Sequence, residues 1–413
     1  PLVKQLFGIS DNLRYEWNID SKKMSSERDY SLKLSSGEHK IGLKVSDDRK
    51  QGYTEKTVSI PKGENFAVMQ KVIEVDPDEL YSLNKLDNIP LKGICYDAGI
   101  KWDYNIKSWR NLTNEQIERE VIDIINRELD CNAVRIMGND DNIFRVADIA
   151  IEKGNFDVIA ISPRFISETM DNTIIKIADV AKKTEEVRKK FNNTTFIVGN
   201  ELPIDNRGVV SDAPTYKQRS DEAGKYMSML KYQNRLNKFL KKLITVASQN
   251  FKGEITYAST WWEQGIRWED LDFDIISLNQ YYHPEYNDEN DIISILEEFR
   301  QLGKKIYITE FGCATFEGAF EAGGAGWDPN IYGNKKYSQE EQSKAIKWYV
   351  DFFTKTKILD GIFLANFIDI VEDDRASFGI LRCKYLDSKY KNGWTKSKPE
   401  RKLGFYMYKS FKI

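Results

Sequence analysis

Two glutamates carry the sharpest chemical signal in this chain. Glu201 follows the apolar run Thr-Phe-Ile-Val-Gly-Asn and Glu310 follows Lys-Ile-Tyr-Ile-Thr, so each carboxylate stands where a short hydrophobic strand ends. Carboxylates held at different pKa values can share a displacement at an acetal carbon: one protonates the leaving oxygen while the other attacks the anomeric centre. A gap of about 5–5.5 Å between them suits double displacement with retention. Arg135 offers Glu310 a charge-assisted hydrogen bond, Tyr281 or Tyr282 a second donor, and Asn200 a contact to a hydroxyl beside the acid.

Composition narrows the chemistry. The 413 residues include only two histidines, His39 and His283, too few for most zinc hydrolases and poor material for a Ser-His-Asp triad. No metal and no cofactor is expected. Cys95, Cys131, Cys313 and Cys383 lack paired short spacing and read as free thiols, with Cys313 to Cys383 the one conceivable bridge. A formal net charge of -3, from 61 basic and 64 acidic residues, supplies no field for nucleic acid. No apolar run is long enough for a membrane span. The chain opens on Pro1 without a secretory pattern, which leaves both an extracellular and a cytoplasmic setting open, and oligomeric state is not legible.

These carboxylates need elements to position them. Eight apolar runs, at 91–96, 132–138, 157–162, 195–200, 254–259, 274–279, 305–311 and 361–367, alternate with helical periodicity at 114–129, 166–191, 219–248, 291–302 and 338–354. Eight strands alternating with helices predict a closed (β/α)8 barrel in the α/β class. An open doubly wound sheet would call for a G-x-G-x-x-G turn, which Cys-Tyr-Asp-Ala-Gly-Ile does not provide. Before Pro77 and Pro90 the pattern is one of short alternating strands, so residues 1–78 are expected to form a small β-sandwich and 79–413 the barrel.

In such a barrel the residues just past each strand's C-terminal end share one mouth. That rule adds Asp97, Trp261, Trp262, Asn279, His283, Asp369 and Glu372 to the candidates, with Trp261, Trp262 and Trp327 as faces for sugar stacking. Residues 317–333 form a glycine-rich stretch that reads either as a lid or as a surface excursion.

The pairing of Asn-Glu after strand four with Thr-Glu-Phe-Gly after strand seven, with an Arg on strand two and a Tyr after strand six, resembles the clan A glycoside hydrolases over roughly residues 91–411. That resemblance implies Glu201 as general acid/base, Glu310 as nucleophile, Asn200 as the 2-hydroxyl contact, and Arg135 with Tyr281 or Tyr282 as partners of the nucleophile. The sequence departs from the pattern in placing Phe367 where a Trp is usual. The segments Gly-Ile-Cys-Tyr-Asp-Ala-Gly, Glu-Leu-Asp-Cys-Asn-Ala-Val-Arg-Ile-Met and Phe-Ile-Val-Gly-Asn-Glu-Leu resemble barrels labelled abortive phage infection proteins, and residues 15–60 resemble immunoglobulin-like modules of the polycystic-kidney-disease-repeat type.

The expectation is therefore a retaining hydrolase of β-linked oligo- or polysaccharides. The competing expectation is a decayed barrel that binds carbohydrate or acts in phage defence. The first predicts that Glu310→Gln abolishes aryl-glycoside turnover while circular dichroism stays that of wild type; undiminished hydrolysis by the variant would sink it.

Overall fold

A computed structural model describes residues 14–20, 22–25, 33–34, 37–46, 51–60, 67–68, 84–86, 88–102, 112–260, 263, 265–282, 289–368, 373–382 and 400–412. The chain divides into two compact units, Pro1–Asn84 and Lys85–Ile413. In the first, strands β1 (Arg14–Ile19), β2 (Lys22–Ser25), β4 (Gly37–Ser46) and β5 (Gln51–Ile60) form an antiparallel sheet ordered β2-β1-β4-β5, and β3 (Lys33–Leu34) pairs with β6 (Ala67–Val68). The β4–β5 hairpin runs in unbroken register from Gly37 opposite Ile60 to Ser46 opposite Gln51.

The second unit is a closed (β/α)8 barrel of eight parallel strands, β7 (Leu91–Asp97), β8 (Ala133–Gly138), β9 (Val158–Pro163), β10 (Thr194–Asn200), β11 (Glu254–Thr260), β12 (Ile275–Asn279), β13 (Lys305–Phe311) and β14 (Gly361–Leu364). Gly361 of β14 pairs with Leu91 of β7, which closes the ring. Every residue of β7 to β10 is buried, as parallel strands covered by helices require. Leu91 and Cys95, Ala133 and Met137, Val158, Ile275, Tyr307 and Phe363 pack into one cluster drawn from six strands, an arrangement that only the lumen allows. Ala160, Ile197 and Ala258 form a second lumenal layer.

Around the ring lie α1 (Asn142–Lys153), α2 (Met170–Lys190), α3 (Leu202–Asp205), α4 (Tyr216–Tyr226), α5 (Leu230–Asn250), α6 (Glu289–Arg300), α7 (Gln339–Thr356) and α8 (Leu403–Lys409), with a further helical stretch at Asn114–Ile117 and Glu118–Glu128. Thr169 and Ser338 cap α2 and α7 by accepting from the amides of Asn172 and Glu341. One helix expected over 219–248 is instead two. Met229 is extended (φ -71, ψ 128) and accepts from the amide of Tyr232, which breaks the helical ladder between α4 and α5. The eighth strand also stops short of the expected 367, because beyond Leu364 the backbone of Asn366 turns to pair with Phe378 and Ile380.

Near the start of β7, on the outer side of the ring, the buried Lys92 ammonium donates to the carbonyls of Leu129 and, at 2.7 Å, Phe411, and lies 4.8 Å from the Tyr408 ring centre. The Tyr408 hydroxyl donates to the Gly93 carbonyl at 2.6 Å. Burial pulls the Lys92 pKa down to about 8. At the opposite end, the exits of β13 and β14 approach so closely that a Cβ on Gly312 would sit 2.2 Å from the Ala365 carbonyl oxygen. Backbone cannot yield as a side-chain tip can, so Gly312→Ala is expected to cost about 1–3 kcal/mol of barrel stability, read as a lower urea midpoint; an unshifted midpoint would contradict this packing.

Candidate active site

Strict alternation along a strand does not deliver Asn200 or Glu310 to the lumen. Tyr307 faces inward, so Glu310, three positions on, belongs on the outer face of an ideal strand. The register shows what corrects it. Leu278 pairs with Ile308 but Asn279 pairs with Glu310, and Ile308 pairs with Ile362 but Phe311 with Leu364, so β13 carries one more residue than either neighbour. Likewise Ile197 pairs with Thr256 but Asn200 with Ala258, an extra residue in β10. Such irregularities re-aim side chains at sheet ends, and here they turn Asn200 and Glu310 towards Arg135.

Arg135 is completely buried in the lumen and distributes its donors among four residues. Nη1 donates to Glu310 Oε1 at 2.9 Å and to the Thr309 carbonyl at 2.9 Å; Nη2 donates to Asn200 Oδ1 at 2.6 Å; Nε and Nη2 each reach Ser162 Oγ at 3.1 Å. The Tyr281 hydroxyl donates to Glu310 Oε2 at 3.0 Å. Tyr282 points elsewhere: its ring stacks on Phe320 at 4.4 Å and meets Trp348 edge-on. Asn279 joins the carboxylates' supports, since its Nδ2 donates to Glu201 Oε1 at 2.9 Å and to Asn200 Oδ1 at 3.1 Å, while its Oδ1 accepts from Thr309 Oγ1 at 3.0 Å.

Glu201 sits in the left-handed region (φ 41, ψ 50), a conformation that costs a side-chain-bearing residue free energy and persists only where surroundings impose it. Its amide donates to the Ala258 carbonyl, and its own carbonyl accepts from Ile204 and Asp205 as α3 begins. Burial, and then the charge of Glu310, push its pKa up to about 7.

Several neighbours escaped the sequence reading. Arg164, directly after β9, forms a buried pair with Asp205 at 2.8 Å and lies 4.9 Å from the Trp102 ring centre. Trp102 meets Tyr216 edge-on at 5.5 Å, and Tyr216 meets Trp327 at 5.7 Å. The strand-end rule itself points to Arg164; nothing in the sequence singles out Tyr216. Asp97 is buried and accepts from the Gly99 amide in a tight local turn. In the glycine-rich segment, a Cβ on Gly323 (φ 53) would fall 2.1 Å from the Tyr282 carbonyl oxygen, and one on Gly324 would fall 3.2 Å from the Tyr281 ring. That segment packs directly onto the two tyrosines. Trp261, Trp262, His283, Asp369, Glu372 and Cys383 lie outside the described residues; Cys95, Cys131 and Cys313 are free and buried. Among the described residues no group of three or more His, Cys, Asp or Glu side chains could hold a metal ion, and no helix is long and apolar enough to cross a membrane.

No protein-family model matches the chain, and no curated relative matches it. Solved structures similar to it include a GH113 beta-1,4-mannanase, at 14% identity over 71% of this chain and 94% of that one with a TM-score of 0.49. A beta-glucuronidase from Parabacteroides merdae aligns over 96% of this chain and 48% of its own at 11% identity and a TM-score of 0.46. One from Ruminococcus gnavus, in complex with uronic deoxynojirimycin, aligns over 97% and 63% at 10% identity and 0.49. At such scores the likeness says nothing about substrate.

The raised pKa of Glu201 has a thermodynamic consequence. The folded protein keeps a proton here that the unfolded chain releases near 4.5, so this group's contribution to stability is greatest below that value and is lost as pH rises through about 7. Glu201→Gln has no charge to bury. Its thermal midpoint is expected to gain on that of wild type between pH 5 and pH 8, and a difference that stays flat across that window would contradict the burial of this carboxyl.

Proposed function

We propose that this chain hydrolyses β-linked glycosides with retention, Glu201 serving as acid/base and Glu310 as nucleophile. The observation that carries the reading is the contrast between two linked carboxyls. Glu310 is clasped by a guanidinium and a phenol, whereas among the described residues the Glu201 carboxyl accepts only from the Asn279 amide, and it keeps its proton to about pH 7. In the first step a Glu310 oxygen bonds to the anomeric carbon as the glycosidic C–O bond breaks, and the Glu201 proton passes to the departing oxygen. In the second, Glu201 takes a proton from water, whose oxygen displaces Glu310 and restores both groups.

Two further features support a sugar. The Asn200 Nδ2 is buried and has no hydrogen-bond partner among the described residues, which leaves a donor beside Glu201 for a ring hydroxyl. The half-buried rings of Trp102, Tyr216 and Trp327 offer faces for pyranose C–H surfaces. Arg135 and Arg164 are each already engaged by a carboxylate, which favours a neutral sugar over an acidic one.

The test is a panel of aryl glycosides, followed by 2-deoxy-2-fluoro dinitrophenyl glycosides of whichever sugar is cleaved. A fluorosugar adduct on the Glu310 peptide is expected by mass spectrometry, together with a kcat/KM that falls above about pH 7 as Glu201 loses its proton. An adduct on another residue, or no cleavage across the panel, would overturn the assignment.

A further inference from the structure

Behind the barrel wall a second buried carboxyl approaches Glu201. On β11, Thr256 and Ala258 belong to the lumenal parity, so Tyr257 between them projects outward, where it is completely buried. Its hydroxyl accepts from the amide of Leu202, the residue that follows Glu201, at 2.8 Å. The same hydroxyl donates to the Glu263 carboxyl, 2.9 Å from Oε2 and 3.1 Å from Oε1. Glu263 is itself only 3% exposed and its amide donates to the Thr260 carbonyl at 3.0 Å. The mechanism above uses neither residue.

We propose that Tyr257, oriented by Glu263, is a positioning residue for the acid/base carboxyl: it holds the Leu202 amide and so fixes the left-handed backbone of Glu201 that aims its side chain across the cleft. This rests on the reading of Glu201 as the acid. A phenol has one proton and two lone pairs, so accepting from Leu202 commits its proton to Glu263. Glu263 thereby fixes the rotation of the hydroxyl, and its own burial raises its pKa well above the ordinary carboxyl value. Backbone held in a strained conformation relaxes when a support is removed. The consequence is a misaimed acid with an intact nucleophile.

Leaving-group dependence reads that defect directly. A 2,4-dinitrophenolate departs without protonation, whereas a phenolate needs the acid. On the sugar that wild type cleaves, Tyr257→Phe is expected to lower kcat/KM for the phenyl glycoside by roughly ten- to a hundredfold, a fraction of what a general acid supplies, and to change the dinitrophenyl glycoside little. Glu263→Gln, which still accepts from Tyr257, is expected to resemble wild type, and Glu263→Leu to resemble Tyr257→Phe. Equal losses on both substrates, or no loss on the phenyl glycoside, would overturn the proposal. Should Tyr257→Phe melt below the assay temperature, the Leu-against-Gln comparison at Glu263 decides in the same way. Glu201→Gln is run alongside: absence of a selective phenyl loss there refutes the acid assignment itself, a result separate from either outcome at Tyr257.

Discussion

A buried guanidinium organises this barrel's mouth. Arg135 is fully removed from water, and a buried cation is tolerated only where its charge is matched and its donors are used. Glu310 supplies the charge; Ser162, Thr309 and Asn200 take the remaining donors. Because Asn200 also meets Asn279, and Asn279 meets Glu201, the nucleophile candidate and the acid candidate hang from a single fixed point. Displacing either one disturbs the compensation of the cation as well. A hydrophobic residue at 135 would strip a donor from Ser162, Thr309 and Asn200 and leave Glu310 with the Tyr281 hydroxyl.

The regular part of the fold supplies rigidity and the irregular part supplies aim. Along most of their length the strands are in simple parallel register, and their lumenal side chains fill the ring in layers. Departures gather at the mouth: one extra residue in β10, one in β13, and a left-handed Glu201 where β10 passes into α3. Each has a local cost that the surrounding hydrogen bonds offset. These are the places where ideal strand geometry and the needs of the site disagree, and the site prevails.

Much of this was legible in the sequence because a parallel barrel writes itself as short, nearly unbroken apolar runs. All eight runs are strands, and Glu201 and Glu310 stand at the C-terminal ends where the sequence puts them. The strand-end rule should have reached Arg164, which hides one position beyond Pro163. The extra residues in β10 and β13 were invisible because register belongs to a pair of strands, and neither strand alone records it. The break at Met229 was equally hidden, since apolar spacing continues across it from α4 into α5. The choice between Tyr281 and Tyr282 turned on tertiary neighbours: Phe320 and Trp348 draw one ring away while Glu310 holds the other.

The tie between β7 and the C-terminal segment bears on how the ring holds together. Lys92 bonds a carbonyl 319 positions further on, and Tyr408 reaches back 315 positions to Gly93. Loop-closure entropy makes such distant partners slow to meet. In the folded chain the Lys92 ammonium is wholly removed from water, and the Phe411 carbonyl is one of the two acceptors that compensate it. Closure around the first barrel strand therefore depends on the far end of the chain, on Tyr408 of α8 and on Phe411 just beyond it.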